Sequence, residues 1–210
     1  MDRNLIKNQE ADRQLDSKVI KYIEKEISKF HDDLSVRYDR KNKNFKIEVN
    51  PQNYNDPDAV IHKKYWNVLV SNVIPIYSGT SIYKKGFHLK LKKREDGKLM
   101  VNLDKLKQNL LAEIYEYYEF LQRAEKIKSF LSDSVLKITY EIRSENSIYY
   151  SLYYDKYKYW TLRVSDHPPK PGTSKPDFEL RYSKYFQDNF WIRLNELKKR
   201  INCKKELVGV

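Results

Sequence analysis

Ser165, Asp166 and His167 stand side by side in this chain. They are the residue types of nucleophilic acyl transfer, where a carboxylate orients a histidine that activates a hydroxyl. Their adjacency argues against that chemistry, because a working triad is assembled in space and chain neighbours rarely aim at one another. No G-x-S-x-G elbow is present. The trio heads a segment, residues 165–177, that holds four of the seven prolines. Asp166 therefore reads as the cap of a turn into Pro168-Pro169, and His167 as a loop-ordering or partner-contacting residue. Arg163 and His167 are separated by three residues, one short of the R-x4-6-H spacing that marks one class of RNases.

A second pattern is Pro176-Asp177 followed by Glu196-x-Lys198, a loose match to the PD-(D/E)xK nucleases. There paired carboxylates hold a divalent cation and the lysine steadies the attacking water. Here Glu196 and Lys198 fall on a predicted helix, whereas the motif belongs on a strand. The four histidines, at 31, 62, 88 and 167, share no metal-ligand spacing, and Cys203 is the single cysteine. No zinc site is expected. With five glycines and no G-x-x-x-x-G-K-[ST] or G-x-G-x-x-G, no nucleotide-cradling loop is expected either. The expectation is a non-enzymatic chain with no catalytic residue, metal or cofactor.

The third constellation is aromatic and cationic. Ser147 to Asp177 carries six of the eighteen tyrosines. If Ile148, Tyr150, Leu152, Trp160, Leu162 and Val164 face a core, then Tyr149, Tyr153, Tyr159 and Arg163 face outward, with Lys156, Tyr157 and Lys158 at the tip between the strands. Rings interleaved with cations suit single-stranded nucleic acid, since bases stack on rings at about 1–3 kcal/mol each while cations hold phosphates. The same pattern is compatible with a protein-contact surface, or with a sheet face covered by another element, because tyrosine is a good strand former. The K/R-G-F/Y-G/A-F-V-x-F/Y run of RNA-binding sheets is absent.

The elements that position these residues follow from periodicity. Leu15, Val19, Ile23, Ile27 and Phe30 have helical spacing. Leu34, Val36 and Tyr38, then Phe45, Ile47 and Val49, alternate as two strands around a polar turn. Residues 37–46 hold five basic residues and one acidic one, so this hairpin presents Arg40, Lys41 and Lys43 at its tip. Residues 50–85 are the least legible; Asp56-Pro57 fits the start of a short helix, and Trp66 to Tyr77 is core, as a strand or a short helix. Phe87, Leu89 and Leu91 alternate, and Asp96-Gly97 predicts a tight hairpin to Leu99 and Val101. Residues 84–98 carry seven basic and two acidic residues, including Lys90, Lys92, Lys93 and Arg94.

From Leu103 to Leu131 the apolar stripe is helical, with Asn102 as cap. This helix, or two shorter ones with a hidden break, is charge-balanced and forms the spine between two β regions. Three alternating runs then predict an antiparallel meander over residues 136–164. Phe178, Leu180 and Tyr182 suit a fourth strand, and a last helix carries Phe186, Phe190, Leu194, Leu197 and Ile201 before a loose end at 203–210. The fold class is α+β: hairpins and a meander packed with one long central helix and amphipathic N- and C-terminal helices. Residues 1–210 read as one domain, with a soft division between 1–101 and 102–210.

Composition sets the partner class. The chain of 210 residues has a formal charge of +12, 40% hydrophobic and 33% charged residues. Such an excess favours polyanions. No apolar run is long enough to span a bilayer, and a lone cysteine suits a reducing cytoplasm. The N-terminus, MDRNLIKNQEADRQ, is too polar for a signal peptide.

One resemblance adds a setting. Tyr159-Trp160-Thr161-Leu162-Arg163-Val164-Ser165-Asp166-His167-Pro168, after the tyrosine-rich strand, resembles an "aromatic strand, I/L-R-V/I-S-D-H" element of phage and mobile-element proteins. It covers about 30 residues of the chain. Small Lys/Asn/Tyr-rich chains of this kind resemble anti-defence proteins, including anti-CRISPR proteins, which implies inhibition by binding in the cytoplasm of a bacterial host. Many such inhibitors are acidic DNA mimics, and a charge of +12 departs from that. The expected partner is nucleic acid, RNA before DNA, or a ribonucleoprotein effector. The alternatives are the metal-dependent nuclease on Asp177, Glu196 and Lys198 and a general phage nucleic-acid accessory protein.

Overall fold

A computed structural model describes residues 15, 17–51, 57–61, 64–71, 86–93, 99–133, 135–144, 147–182 and 189–209. Among them are three helices and two five-stranded sheets, an α+β fold. In chain order the elements are α1 (Ser17–Ser28), β1 (Leu34–Asp39), β2 (Asn44–Val49), β3 (Ala59–Ile61), β4 (Lys64–Ser71), β5 (Gly86–Lys93) and β6 (Leu99–Val101). Then follow α2 (Asp104–Leu131), β7 (Lys137–Ser144), β8 (Ser147–Tyr153), β9 (Tyr159–Ser165), β10 (Phe178–Arg181) and α3 (Asn189–Val208).

The chain packs as two compact units: residues 1–53 with 63–116, and residues 54–62 with 117–210. This differs from the division expected at 101/102. The border lies inside α2, because one apolar stripe serves two cores in succession. Leu106, Leu110 and Ile114 are buried on the first half, and Tyr117, Leu121, Ala124, Ile127 and Leu131 on the second. The helix is continuous, with no break. Asn102 caps it as expected, its side-chain oxygen accepting the Asp104 N–H at 2.9 Å.

In the first unit the sheet order is β1-β2-β4-β5-β6. The hairpin β1–β2 has the expected register, Leu34 opposite Val49 and Asp39 opposite Asn44. Phe45, Ile47, Val49, Trp66, Val68, Ile23 and Ile27 are all buried, and β2 sets Phe45 opposite Val68 and Ile47 opposite Trp66. Strand β4 settles the apolar run at 66 as a strand, and residues 72–77 lie outside the described residues. The pairing of β4 with β5 is parallel, a departure from the all-antiparallel expectation, while β5 and β6 pair antiparallel. Glu24 accepts the Tyr38 N–H at 2.7 Å, satisfying an edge donor that β2 leaves free.

The second unit has the order β10-β9-β8-β7-β3. The meander β7–β8–β9 is antiparallel as expected, and a parallel strand closes each edge: β10 on β9 and β3 on β7. Strand β3 was not expected. Pro57 and Asp58 form a turn into it rather than opening a helix, and Asp58 Oδ2 accepts from Lys128 Nζ at 3.1 Å. Ile148, Tyr150, Leu152, Trp160, Leu162 and Val164 all face the core. Tyr150 donates its hydroxyl to the Ala124 carbonyl of α2 at 2.9 Å, which satisfies the one polar atom on a buried ring.

Helix α3 buries Phe190, Leu194, Leu197 and Ile201, and Phe186 lies outside the described residues. The end expected to be loose is helical through Val208. Lys205 pairs with Asp133 at 2.6 Å, Lys204 sits over the rings of Trp160 and Phe178, and Gly209 at φ 73° closes the last turn.

Candidate nucleic-acid interface

The site is built on the face of the second sheet that points away from its core. Strand alternation and register lay its residues out in rows across β9, β8 and β7. One row is Tyr159, Tyr153 and Lys137; the next is Thr161, Ser151 and Thr139; the third is Arg163, Tyr149 and Glu141. Glu179 of β10 lies beside Arg163. The expected set Tyr149, Tyr153, Tyr159 and Arg163 thus shares one face, but its two ends have different surroundings.

At the Arg163 end the face is roofed. Arg163 is 2% exposed, a correction to its expected place on an open surface. Its guanidinium donates to the His167 carbonyl at 2.8 Å, the Pro168 carbonyl at 3.4 Å, Glu179 Oε1 at 3.1 Å and the Tyr149 hydroxyl at 3.3 Å. The cause lies in the connection. Two parallel neighbours, β9 and β10, must be joined by a crossover, and here it is the proline-rich segment, whose first turn lies over Arg163. Ser165 Oγ donates to the same His167 carbonyl at 2.8 Å, so the hydroxyl is fixed to backbone and not to the imidazole. His167 Nδ1 lies 2.6 Å from Asp166 Oδ1. Asp166 thus orients the ring beside it, and the Ser-Asp-His sequence builds a turn.

Asp177 ends that crossover. Its Oδ2 accepts the Thr161 N–H at 2.9 Å and the Thr161 hydroxyl at 3.1 Å, and its Oδ1 is 3.4 Å from Lys204 Nζ. Burial alone would raise the Asp177 carboxyl, but the Thr161 hydrogen bonds and the Lys204 charge outweigh it, and it sits below its ordinary value. Lys198 Nζ donates to the Phe130 carbonyl, and Glu196 is exposed on α3. The nuclease pattern therefore meets two groups already engaged in packing. Among the described residues no three His, Cys, Asp or Glu side chains are grouped to hold a metal ion.

The Tyr153 end is open. Tyr159 is 48% exposed and its ring centroid is 5.0 Å from that of Tyr153. Tyr154 stacks on Trp160 at 4.3 Å, which anchors the start of the β8–β9 connection in the core. The connection is a tight turn, Asp155 and Lys158 exchanging backbone hydrogen bonds. It lifts Lys156, Tyr157 and Lys158 clear of the sheet; Tyr157 is 82% exposed, with Lys156 Nζ 5.4 Å from its ring centre. Below the tip is a cleft of about 480 Å³ lined by Val135, Lys137, Thr139, Tyr153, Tyr154, Asp155 and Lys156. Sequence reading missed Lys137, Thr139 and Asp155. The register was the missing signal, since Lys137 lies directly opposite Tyr153.

The basic residues of the first unit are held differently. Arg40, Lys41 and Lys43 form the exposed tip of β1–β2, and Lys43 takes a left-handed φ of 51° to close the turn. Asp39 organises it, accepting from the N–H groups of Lys41 and Asn42 and from the Asn42 side chain, with Lys46 at 3.4 Å. Those bonds, the Asn42 side chain first, bring its carboxyl down to about 2. This tip has cations and no ring. Lys90, Lys92 and Lys93 fall on β5, and Arg94 lies outside the described residues.

Among the described residues no helix is long and apolar enough to cross a membrane. No family model, no curated protein and no solved structure matches the chain.

Proposed function

We propose that this chain is a non-enzymatic binding protein for single-stranded nucleic acid, RNA before DNA, met free or within a ribonucleoprotein. The observation that supports it is the open end of the second sheet. Three tyrosines, 153, 157 and 159, stand among Lys137, Lys156 and Lys158, beside a cleft of nucleotide size. Rings offer a sequence-tolerant stacking platform and lysines neutralise phosphates, and the formal charge of +12 draws a polyanion toward both. The resemblance to anti-defence proteins suggests the setting: inhibition of a bacterial RNA-guided complex by occupying it, anti-CRISPR-like.

Binding of a labelled single-stranded RNA, followed by anisotropy, tests the reading. With three lysines on phosphates, affinity should fall about twentyfold between about 50 and 200 mM salt. Absence of binding at low salt removes nucleic acid as the ligand, and capture of the protein's partner from host lysate then identifies a protein target.

A further inference from the structure

We propose that the cleft beneath the β8–β9 tip is a base-reading pocket that selects guanine over uracil through the Asp155 carboxylate. The inference rests on the nucleic-acid reading above and gives it a specificity.

The argument starts from what the lining can donate and accept. The ring of Tyr153, with Tyr159 beside it, supplies the flat apolar wall a base needs. Lys137 and Lys156 supply charge for a phosphate; Lys137 is 71% exposed, with Asp58 only at 3.9 Å. Within this basic and aromatic lining Asp155 is the single carboxylate. A carboxylate would weaken a site meant for phosphate alone, so its presence calls for a ligand with hydrogen-bond donors. One Asp155 oxygen accepts its neighbour's N–H from Lys156, which fixes the side chain at the turn. Among the described residues Asp155 makes no ion pair, so its second oxygen is uncommitted to a cation.

An ionised carboxylate only accepts. The Watson–Crick edge of guanine presents two adjacent donors, N1–H and the N2 amino group, which match the two oxygens of a carboxylate. Uracil presents one donor flanked by two carbonyls, which a carboxylate repels. Adenine and cytosine present one amino donor each and fall between. The volume, about 480 Å³, accommodates one base with its sugar and phosphate.

The test uses the full-length protein and short single-stranded oligouridylates carrying one central guanosine, one inosine (which lacks the N2 amino group) or none. The single-guanosine probe should bind about tenfold more tightly than the all-uridine probe, with inosine between them. Asp155→Asn keeps an oxygen for the turn and removes the charge; it should bring the guanosine and uridine probes to within about twofold of each other. Lys137→Gln should weaken all probes by the same factor. Equal binding of guanosine and uridine probes by the wild type, or a preference that survives Asp155→Asn, overturns the pocket while leaving the binding function standing. Failure to bind any probe at low salt overturns the binding function itself.

Discussion

The two ends of one sheet face carry the same residue types in different surroundings. At one end Arg163 and Tyr149 meet under the first turn of a proline-rich crossover, and every donor direction of the guanidinium that is described leads to protein. At the other, Tyr159 and the tip lysines are exposed and Tyr153 is half-buried beside them. A cation beside a tyrosine is glue where a loop covers it and, on the function proposed, a recognition surface where none does. The difference is set by backbone carbonyls, those of His167 and Pro168, and not by residue type.

Substitutions at the two ends should therefore separate binding from stability. The largest effect belongs to the open end. Tyr153→Ala with Tyr159→Ala should weaken single-stranded RNA binding on the order of a hundredfold, at 1–3 kcal/mol per stacked base. It should leave the denaturation midpoint nearly unchanged. Arg163→Ala should do the reverse, lowering stability in urea by about 2–3 kcal/mol, because Glu179 and two carbonyls lose a charged donor. If Arg163→Ala instead spares stability and abolishes binding, the roofed end is part of the surface and the contrast fails. Tyr149→Phe is the milder form, costing about 1 kcal/mol through the hydrogen bond to Arg163.

A smaller effect should appear on acidification. Asp133 and Asp177 both sit below their ordinary values: burial would raise them, but hydrogen bonds and the charges of Lys205 and Lys204 prevail. A carboxyl depressed in the folded state binds fewer protons there than in the unfolded chain. The stability it contributes is complete above about pH 4 and is lost as pH falls through the folded value. Urea melts at pH 7 and pH 3 should show this loss, and Asp133→Asn with Asp177→Asn should flatten it. The smallest effect is at the tip: Lys156→Gln with Lys158→Gln should make the salt dependence shallower by about 1.4 in log–log slope.

Much of this architecture was legible because strands and helices with one buried face write their period into the sequence. The β1–β2 register, the meander and the 28-residue α2 all follow from alternation or from 3.6-residue spacing. Strand β3 was not legible. Three residues are too short to show a period, and its pairing with β7 links positions about eighty residues apart in sequence. The fate of Arg163 was hidden for a related reason. Alternation assigned its side of the sheet correctly, but a covering loop bonds through its backbone, which leaves no residue pattern to read. Lys137 and Asp155 escaped because the cleft is a property of register and turn, not of any contiguous motif.

Residues 54–62 belong to the second unit although the chain on both sides of them belongs to the first, so neither unit is one continuous stretch. During synthesis β3 emerges long before β7, and must wait on the ribosome-bound chain for its partner. A fragment beginning at residue 117 would lack it, leaving the donors and acceptors of β7 open to a neighbouring molecule. Such a fragment should self-associate, and adding a peptide of residues 54–62 in trans should disperse it.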